Sequence, residues 1–344
     1  MALLFIEGFD HHGNGKELAL TGKWAPNGAG NHTVTNSQWR TGGYSSQGYY
    51  SGAGDEAVTN PLPVSGNGFV VGVAIRTRTA ASSSKDFLRI KEGAVVHLAL
   101  ALTTGMVLQV KQGATVIATG TSVLPINSWV YIEFKGTIHD TTGAYEVRID
   151  TVNEAALTAT GVDTRNGGTG QWDRFALTPA VGAWDSWADD IYVCDQSGTA
   201  CNDFLGPIRI ETLFPQPGNG TNVGLAPSTG TDHGAMVDEI PPNTTDYNTG
   251  TVVGAKDTYN LPSLVGIGDV IGLQVNLYVA KTDAGARQVC GVVRTGGVDY
   301  DGPSRTLLTT FAYVTALWPM NPATGAPWTP AEITALEAGM KVTV

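Results

Sequence analysis

Along several stretches of this chain, apolar and polar side chains alternate. In FVVGVAIRTR, Phe69, Val71, Val73 and Ile75 fall on one face and Arg76 and Arg78 on the other. In MVLQVK, Met106, Leu108 and Val110 alternate with Gln109 and Lys111. WVYIEFK sets Val130, Ile132 and Phe134 against Tyr131, Glu133 and Lys135, and YEVRID sets Tyr145, Val147 and Ile149 against Glu146, Arg148 and Asp150. A period of two is that of a strand with one face in a core and the other in water. Turns are marked by Gly93, Gly105, Gly113, Gly143 and the NGGTG cluster of Asn166 to Gly170. Strands recurring at roughly 8- to 12-residue intervals between such turns predict a sandwich or barrel.

The texture changes between Cys201 and Pro207. Long loops rich in Pro, Gly and Thr follow, such as LFPQPGNGTNVGLAPSTGTDHG and DEIPPNTTDYNTG. Strands resume at IGLQVNLYVAK, where Leu273, Val275, Leu277 and Val279 share a face, and continue through RQVCGVVR and TLLTTFAYVTAL. One helix is predicted near 330–338, in WTPAEITALEAG. Thr329 fits its N-cap, Pro330 its first position and Glu332 a capping box, with Gly339 as the stop before a last strand, MKVTV. The pattern predicts an all-β chain of two β-sandwich, jelly-roll-like domains, 1–205 and 206–344, with one short C-terminal helix.

Composition agrees. Glycine numbers 44, and charged residues are 15% of the chain, against about 25% in an average globular protein. Abundant Gly, Thr and Val with little Lys and Glu favours strands and turns. The net charge of −11 and pI near 4.9 argue against nucleic acid and anionic lipid as partners, because both need a basic surface. No apolar run reaches the roughly 18–20 residues of a membrane-spanning helix. MALLFIEGFD lacks the basic start of a secretory signal and reads as a first strand, so synthesis in a cytoplasm without export is expected.

Candidate chemistry is sparse. Asp189 and Asp190 are adjacent, so on a regular strand they point to opposite faces and cannot act as an acid/base pair. A strand end is the plain reading, and calcium ligation is the alternative. The loop Asp195 to Asp203 fails the EF-hand spacing and reads as a turn. Of three cysteines, Cys194 and Cys201 bracket that loop and Cys290 stands alone; free thiols are expected, with a Cys194–Cys201 bridge as the alternative. The histidines are His11, His12, His32, His97, His139 and His233, and only the pair in DHHGNG clusters, which reads as a polar turn, with metal ligation as the alternative. Nucleophile-elbow, HExxH, dinucleotide-binding and P-loop motifs are absent from the sequence. No catalytic, cofactor-binding or metal-ligating residue is assigned. Aromatics stand out instead. Trp24, Trp39, Tyr44, Tyr49 and Tyr50 crowd a Gly/Ser/Asn-rich region, and Trp172, Trp184 and Trp187 precede the boundary. Of these, Trp39, Tyr49, Tyr50 and Trp184 are the candidate ligand or interface residues, with plugging of the sandwich ends as the competing reading.

The first 205 residues resemble the concanavalin A-like lectin/glucanase superfamily, including laminin G-like domains. LLFIEGFD is similar to that family's first strand. NSWVYIEFKGTIHDTTGAYEVRIDT is similar to its hairpin, with Trp129 and Asp150 at the marks, and WADDIYVCD to the last strand, which pairs beside the first. The glucanase branch's E-x-D-x-E-like strand is not matched, because Glu133 and Glu146 lack carboxylates at i+2 and i+4. The legume-lectin calcium and sugar residues are not matched either. Across nearly the whole chain, FIEGFD, DDIYVCDQSGTACNDFLGPIRIETLFP and ALWPMNPATGAPWTPAEITALEAGMKV resemble tailed-bacteriophage virion proteins of the minor tail, fibre-associated or head-decorating kind. This resemblance implies a non-enzymatic structural component of a virion, tail-associated rather than capsid-decorating, assembled in the host cytoplasm. Its implied partners are other virion proteins and copies of itself. A carbohydrate-binding module that recognises a host surface glycan is the alternative, and a glycan hydrolase the less favoured third.

Overall fold

A computed structural model of the chain describes residues 2–18, 21–25, 32–48, 56–181, 185–218, 220–266 and 268–344. It forms two compact units: Met1–Asp10 with Asn14–Ile210, and His11–Gly13 with Glu211–Val344. The sequence places the division at 205/206, whereas the first unit runs on to Ile210 and the second takes in three residues of the N-terminal turn.

Among the described residues, the first unit has strands β1 (Leu3–Glu7), β2 (Trp24–Ala25), β3 (His32–Thr35), β4 (Ser45–Gly48) and β5 (Ala57–Thr59). Then come β6 (Gly68–Thr77), β7 (Lys85–Glu92), β8 (Val95–Leu102), β9 (Val107–Gln112) and β10 (Thr115–Val123). The last five are β11 (Val130–Thr137), β12 (Gly143–Ile149), β13 (Val152–Val162), β14 (Arg174–Leu177) and β15 (Ser186–Cys194). One antiparallel sheet has the order β13-β12-β11-β6-β15-β4-β3, with β1 also on β15; the other has the order β10-β9-β8-β7-β14-β5-β2. Their inner faces share one core. Val71, Val73, Ile132 and Phe134 come from the first sheet, and Leu88, Leu98, Leu100 and Leu108 from the second. Each such side chain contributes about 1.5–3 kcal/mol when fully buried. The pairing of first and last strands implied by the resemblance is present, running from Leu3↔Cys194 to Glu7↔Ile191.

The alternation is right for the inner face and wrong for part of the outer one. Tyr131 and Glu133, expected to face water, are only 2% and 1% exposed. The segment from Asp203 to Ile210 lies over them. Gly206 N–H donates to Glu133 Oε1 (2.8 Å), and Leu205 N–H donates to the Tyr192 hydroxyl (3.1 Å). Lys135 pairs with Asp203 at 2.8 Å. What reads as an exit from the first unit is therefore part of its outer layer.

The second unit has β16 (Thr221–Val223), β17 (Ala226–Pro227), β18 (Asn248–Thr249), β19 (Lys256–Asn260), β20 (Leu273–Val279) and β21 (Gln288–Thr295). It continues with β22 (Val298–Asp301), β23 (Arg305–Thr306), β24 (Ala312–Trp318), helix α1 (Pro330–Ala335) and β25 (Glu337–Val342). The main sheet is ordered β16-β19-β25-β21-β22 with β23 on β21, and the ribbons β17–β18 and β20–β24 stand apart from it. Val275, Val293, Ala316, Trp318, Trp328, Ile333, Leu336 and Ala338 form the core between sheet, ribbon β20–β24 and helix.

The helix has the expected start. Thr329 accepts from Glu332 N–H, and the Glu332 carboxylate accepts in return from Thr329 N–H (2.8 Å). Its end differs. The helix stops at Ala335, and Gly339 lies inside β25. A Cβ on Gly339 would meet Asp257 O at 1.9 Å, so this glycine serves the close approach of β25 to β19 and not a helix stop.

Candidate functional site

Strand β15 changes partner midway. Ser186 to Ala188 pair with β4, and Ile191 to Cys194 pair with β1. Between them the register against β6 slips, and Asp190 adopts φ of +50°. Such a bulge re-aims side chains. The two aspartates consequently do not point to opposite faces, as a regular strand would require. Both turn toward the segment Arg40–Thr41.

Asp189 Oδ2 accepts from Arg40 N–H (2.8 Å) and Thr41 N–H (3.2 Å), and its Oδ1 accepts from Asp190 N–H (2.8 Å). Asp190 Oδ1 accepts from Ile210 N–H (2.8 Å); its Oδ2 accepts from the Thr41 hydroxyl (2.8 Å) and is ion-paired with the Arg40 guanidinium. That guanidinium also donates to Ile208 O (2.6 Å) and lies 5.0 Å from the Tyr131 ring centroid. Asp10, just past β1, completes the clamp by accepting Gly43 N–H (2.8 Å) and Tyr44 N–H (3.1 Å) through Oδ1. Gly42 is required here: its φ is +77°, and a Cβ would fall 2.1 Å from Asp10 Oδ2.

Burial dominates the electrostatics. It pushes the Asp10 carboxyl up to about 7, and the charges of Asp190 and Glu7 add to this. Burial, then the charge of Asp190, raises Asp189 well above the carboxylate range. Asp190 is raised as well, by burial, against the opposing pull of Ile210 N–H and Arg40. The oxygens of Asp189 and Asp190 are thus taken up by N–H, hydroxyl and guanidinium donors. With the Arg40 guanidinium on Asp190 and backbone N–H groups on Asp189, this donor set is one for carboxylates held by protein groups and does not fit the calcium alternative. Nor do they form an open acid/base pair. Sequence reasoning missed Asp10 and Arg40 because no local signal joins residues about 150 positions apart.

The clamp presents Trp39, whose side chain is 48% exposed beside Arg40. The turn behind it is braced by the Ser45 hydroxyl, which donates to Gln38 O (2.6 Å), and by Thr35 and Ser37. Of the other aromatic candidates, Tyr49, Tyr50 and Trp184 lie outside the described residues. Trp24 and Trp172 are fully buried, as core plugs.

Asp195 closes the predicted turn by accepting Ser197 N–H (3.0 Å) and its hydroxyl (2.6 Å). Cys194, Cys201 and Cys290 are free thiols, and burial raises the pKa of each. His11 and His12 are buried in the second unit, their rings 3.9 Å apart and both edge-on to Tyr313. Glu146 is held by Arg148 (3.0 Å) and Lys135 (3.6 Å).

No protein-family model matches the chain, and no curated protein matches it. Among solved structures, it is similar to the cellulose induced protein Cip1, with 18% identity, a TM-score of 0.38, and 56% of this chain and 97% of that one covered. Domain 4 of AbnA, a GH43 extracellular arabinanase from Geobacillus stearothermophilus, has 15% identity, a TM-score of 0.36, and coverage of 56% and 92%. Trypanosoma rangeli sialidase has 14% identity and a TM-score of 0.35; 56% of this chain matches 30% of that one.

Proposed function

We propose that this chain is a non-catalytic binding protein that acts through β-sandwich surfaces as a structural component of a bacteriophage particle, tail-associated and assembled in the host cytoplasm. One structural observation supports an assembling role above others. The second unit has a small core, yet Val252, Val253, Val265 and Leu308 are 63%, 67%, 88% and 60% exposed. Apolar side chains of this kind, where they gather on one face, are what a partner would cover. The sequence resemblance supplies the class of partner: neighbouring virion proteins and further copies of this chain. The test is the position of the chain in the density of an intact particle. Its absence from particles would sink the reading.

A second reading is favoured by Trp39. A half-exposed indole on a segment fixed by three carboxylates suits stacking on a sugar ring, because little freedom is lost on binding. In this reading the particle component also holds a host surface glycan. Trp39→Ala is expected to weaken glycan binding about tenfold or more with an unchanged thermal midpoint, as measured on a glycan array and by calorimetry. Unchanged binding would remove Trp39 from the function.

A further inference from the structure

At one end of the first unit, three loops enclose a cleft of about 370 Å³, formed by residues 66–67, 138–140 and 165–171. We propose that this cleft is a binding site for a neutral saccharide of one or two rings, separate from Trp39.

The cleft is built to hold its shape. Ile138 N–H donates to Asn67 O (2.9 Å), and the Asn67 amide donates to Ile138 O (2.8 Å), clasping two of the loops. The Thr164 hydroxyl accepts His139 N–H (2.9 Å) and donates to Thr137 O (2.7 Å). The third loop is fastened by Glu92, whose carboxylate accepts Thr169 N–H (2.9 Å), the Thr169 hydroxyl (2.8 Å) and Gly170 N–H (3.1 Å). These bonds, led by the Thr169 hydroxyl, hold Glu92 down at about 2. His97 steadies Glu92 from behind at 3.1 Å, while its Nδ1 accepts Asn166 N–H (3.3 Å). Trp172 donates to Gly68 O (2.9 Å) beneath. Walls fixed by so many bonds need little ordering when a ligand arrives.

The groups left over suit a polyol. Arg165 and Asp140 form a two-point ion pair on the cleft wall. A guanidinium–carboxylate pair of this kind is planar and keeps both spare N–H donors and spare lone pairs. His139 Nδ1 accepts the N–H groups of Thr141 and Thr142, each at 3.1 Å. Its Nε2–H is thereby left as a donor. The Gln171 side chain is exposed on the rim, with its amide group making no hydrogen bond among the described residues. The lining thus offers both donors and acceptors beside one apolar residue, Ile138. Vicinal hydroxyls are both donors and acceptors and match such a lining. Phosphate does not, because the single cation is already neutralised and the chain carries −11 overall. A bare metal ion does not either, since the one lining carboxylate is held by Arg165. The volume falls within the roughly 300–1,000 Å³ of ligand clefts.

The test uses the full chain on an array of neutral mono-, di- and trisaccharides, followed by calorimetry with the strongest binder. Gln171→Ala removes the free amide without touching the brace, and Gln171→Trp fills the cleft mouth. Both are expected to keep the wild-type thermal midpoint and to weaken binding of this small saccharide at least tenfold, while Trp39→Ala, at the separate site, binds it as wild type and loses only the host surface glycan. Binding within twofold of wild type in both Gln171 variants overturns the proposal. Loss in Trp39→Ala alone also overturns it, and leaves the Trp39 reading in place. An array without any binder overturns both saccharide sites and leaves the assembly role to the particle density.

Discussion

At Asp10, burial outweighs two backbone N–H donors, and the carboxyl is pushed up to about 7 from 3.8. A carboxyl raised in the folded state binds its proton more tightly there than in the unfolded chain. Its stabilising contribution is therefore complete below about pH 4 and is lost as pH rises through about 7. Burial shifts Asp189 and Asp190 in the same direction. Asn in place of Asp10 keeps an oxygen for Gly43 and Tyr44 and removes the titration. The thermal midpoint of Asp10→Asn should equal or exceed that of the wild type at pH 8, and the gap should close toward pH 5. A gap that does not change between these pH values would show that Asp10 does not titrate in this range. No sequence pattern marks Asp10, because its partners at 43, 44 and 190 are brought to it only by the sheet.

Strands and turns were the legible elements, and their exceptions have physical causes. The core face of β9, with Leu108 and Val110, is buried as the alternation requires, and so is Met106 just before it. Part of the outer face of β11 is buried as well, because chain from Asp203 onward packs on it. Alternation reports one covered face; a second cover comes from sequence far away. The Asp189–Asp190 step breaks the alternation at a bulge, which arises where β15 passes from one neighbour to another. At the C-terminus the capping box is local chemistry and was readable, whereas the role of Gly339 is set by β19 across the sheet. Gly339→Ala should cost roughly 1–3 kcal/mol, by overpacking against the Asp257 carbonyl. Denaturant unfolding followed through the second unit's Trp318 and Trp328 would measure it, and a cost under about 0.5 kcal/mol would mean that the strands part without strain.

For the whole molecule, charge and exposed apolar surface pull in opposite directions. A net charge of −11 makes copies repel, while in the proposed assembly role the exposed valines of the second unit would favour association. Salt screens the first over about 10 Å at 0.1 M and leaves the second intact. Sedimentation of the purified chain should therefore show larger species at 500 mM than at 20 mM NaCl, a difference reduced by Val252→Asp with Val253→Asp. Equal mass at both salt concentrations would count against an apolar assembly surface.

The sequence by itself determined the all-β class, the texture change after Cys201, the Asp195 turn and the capped helix. Each follows from periodicity or from bonds spanning a few residues. Tertiary structure alone decided that Asp189 and Asp190 share one clamp with Asp10 around Arg40, and that Tyr131 and Glu133 are covered. It also decided that Asn67, His139, Arg165 and Gln171 border one cleft. These groups are tens to about 180 positions apart in the sequence, and local pattern carries no information about which loops a sheet brings together.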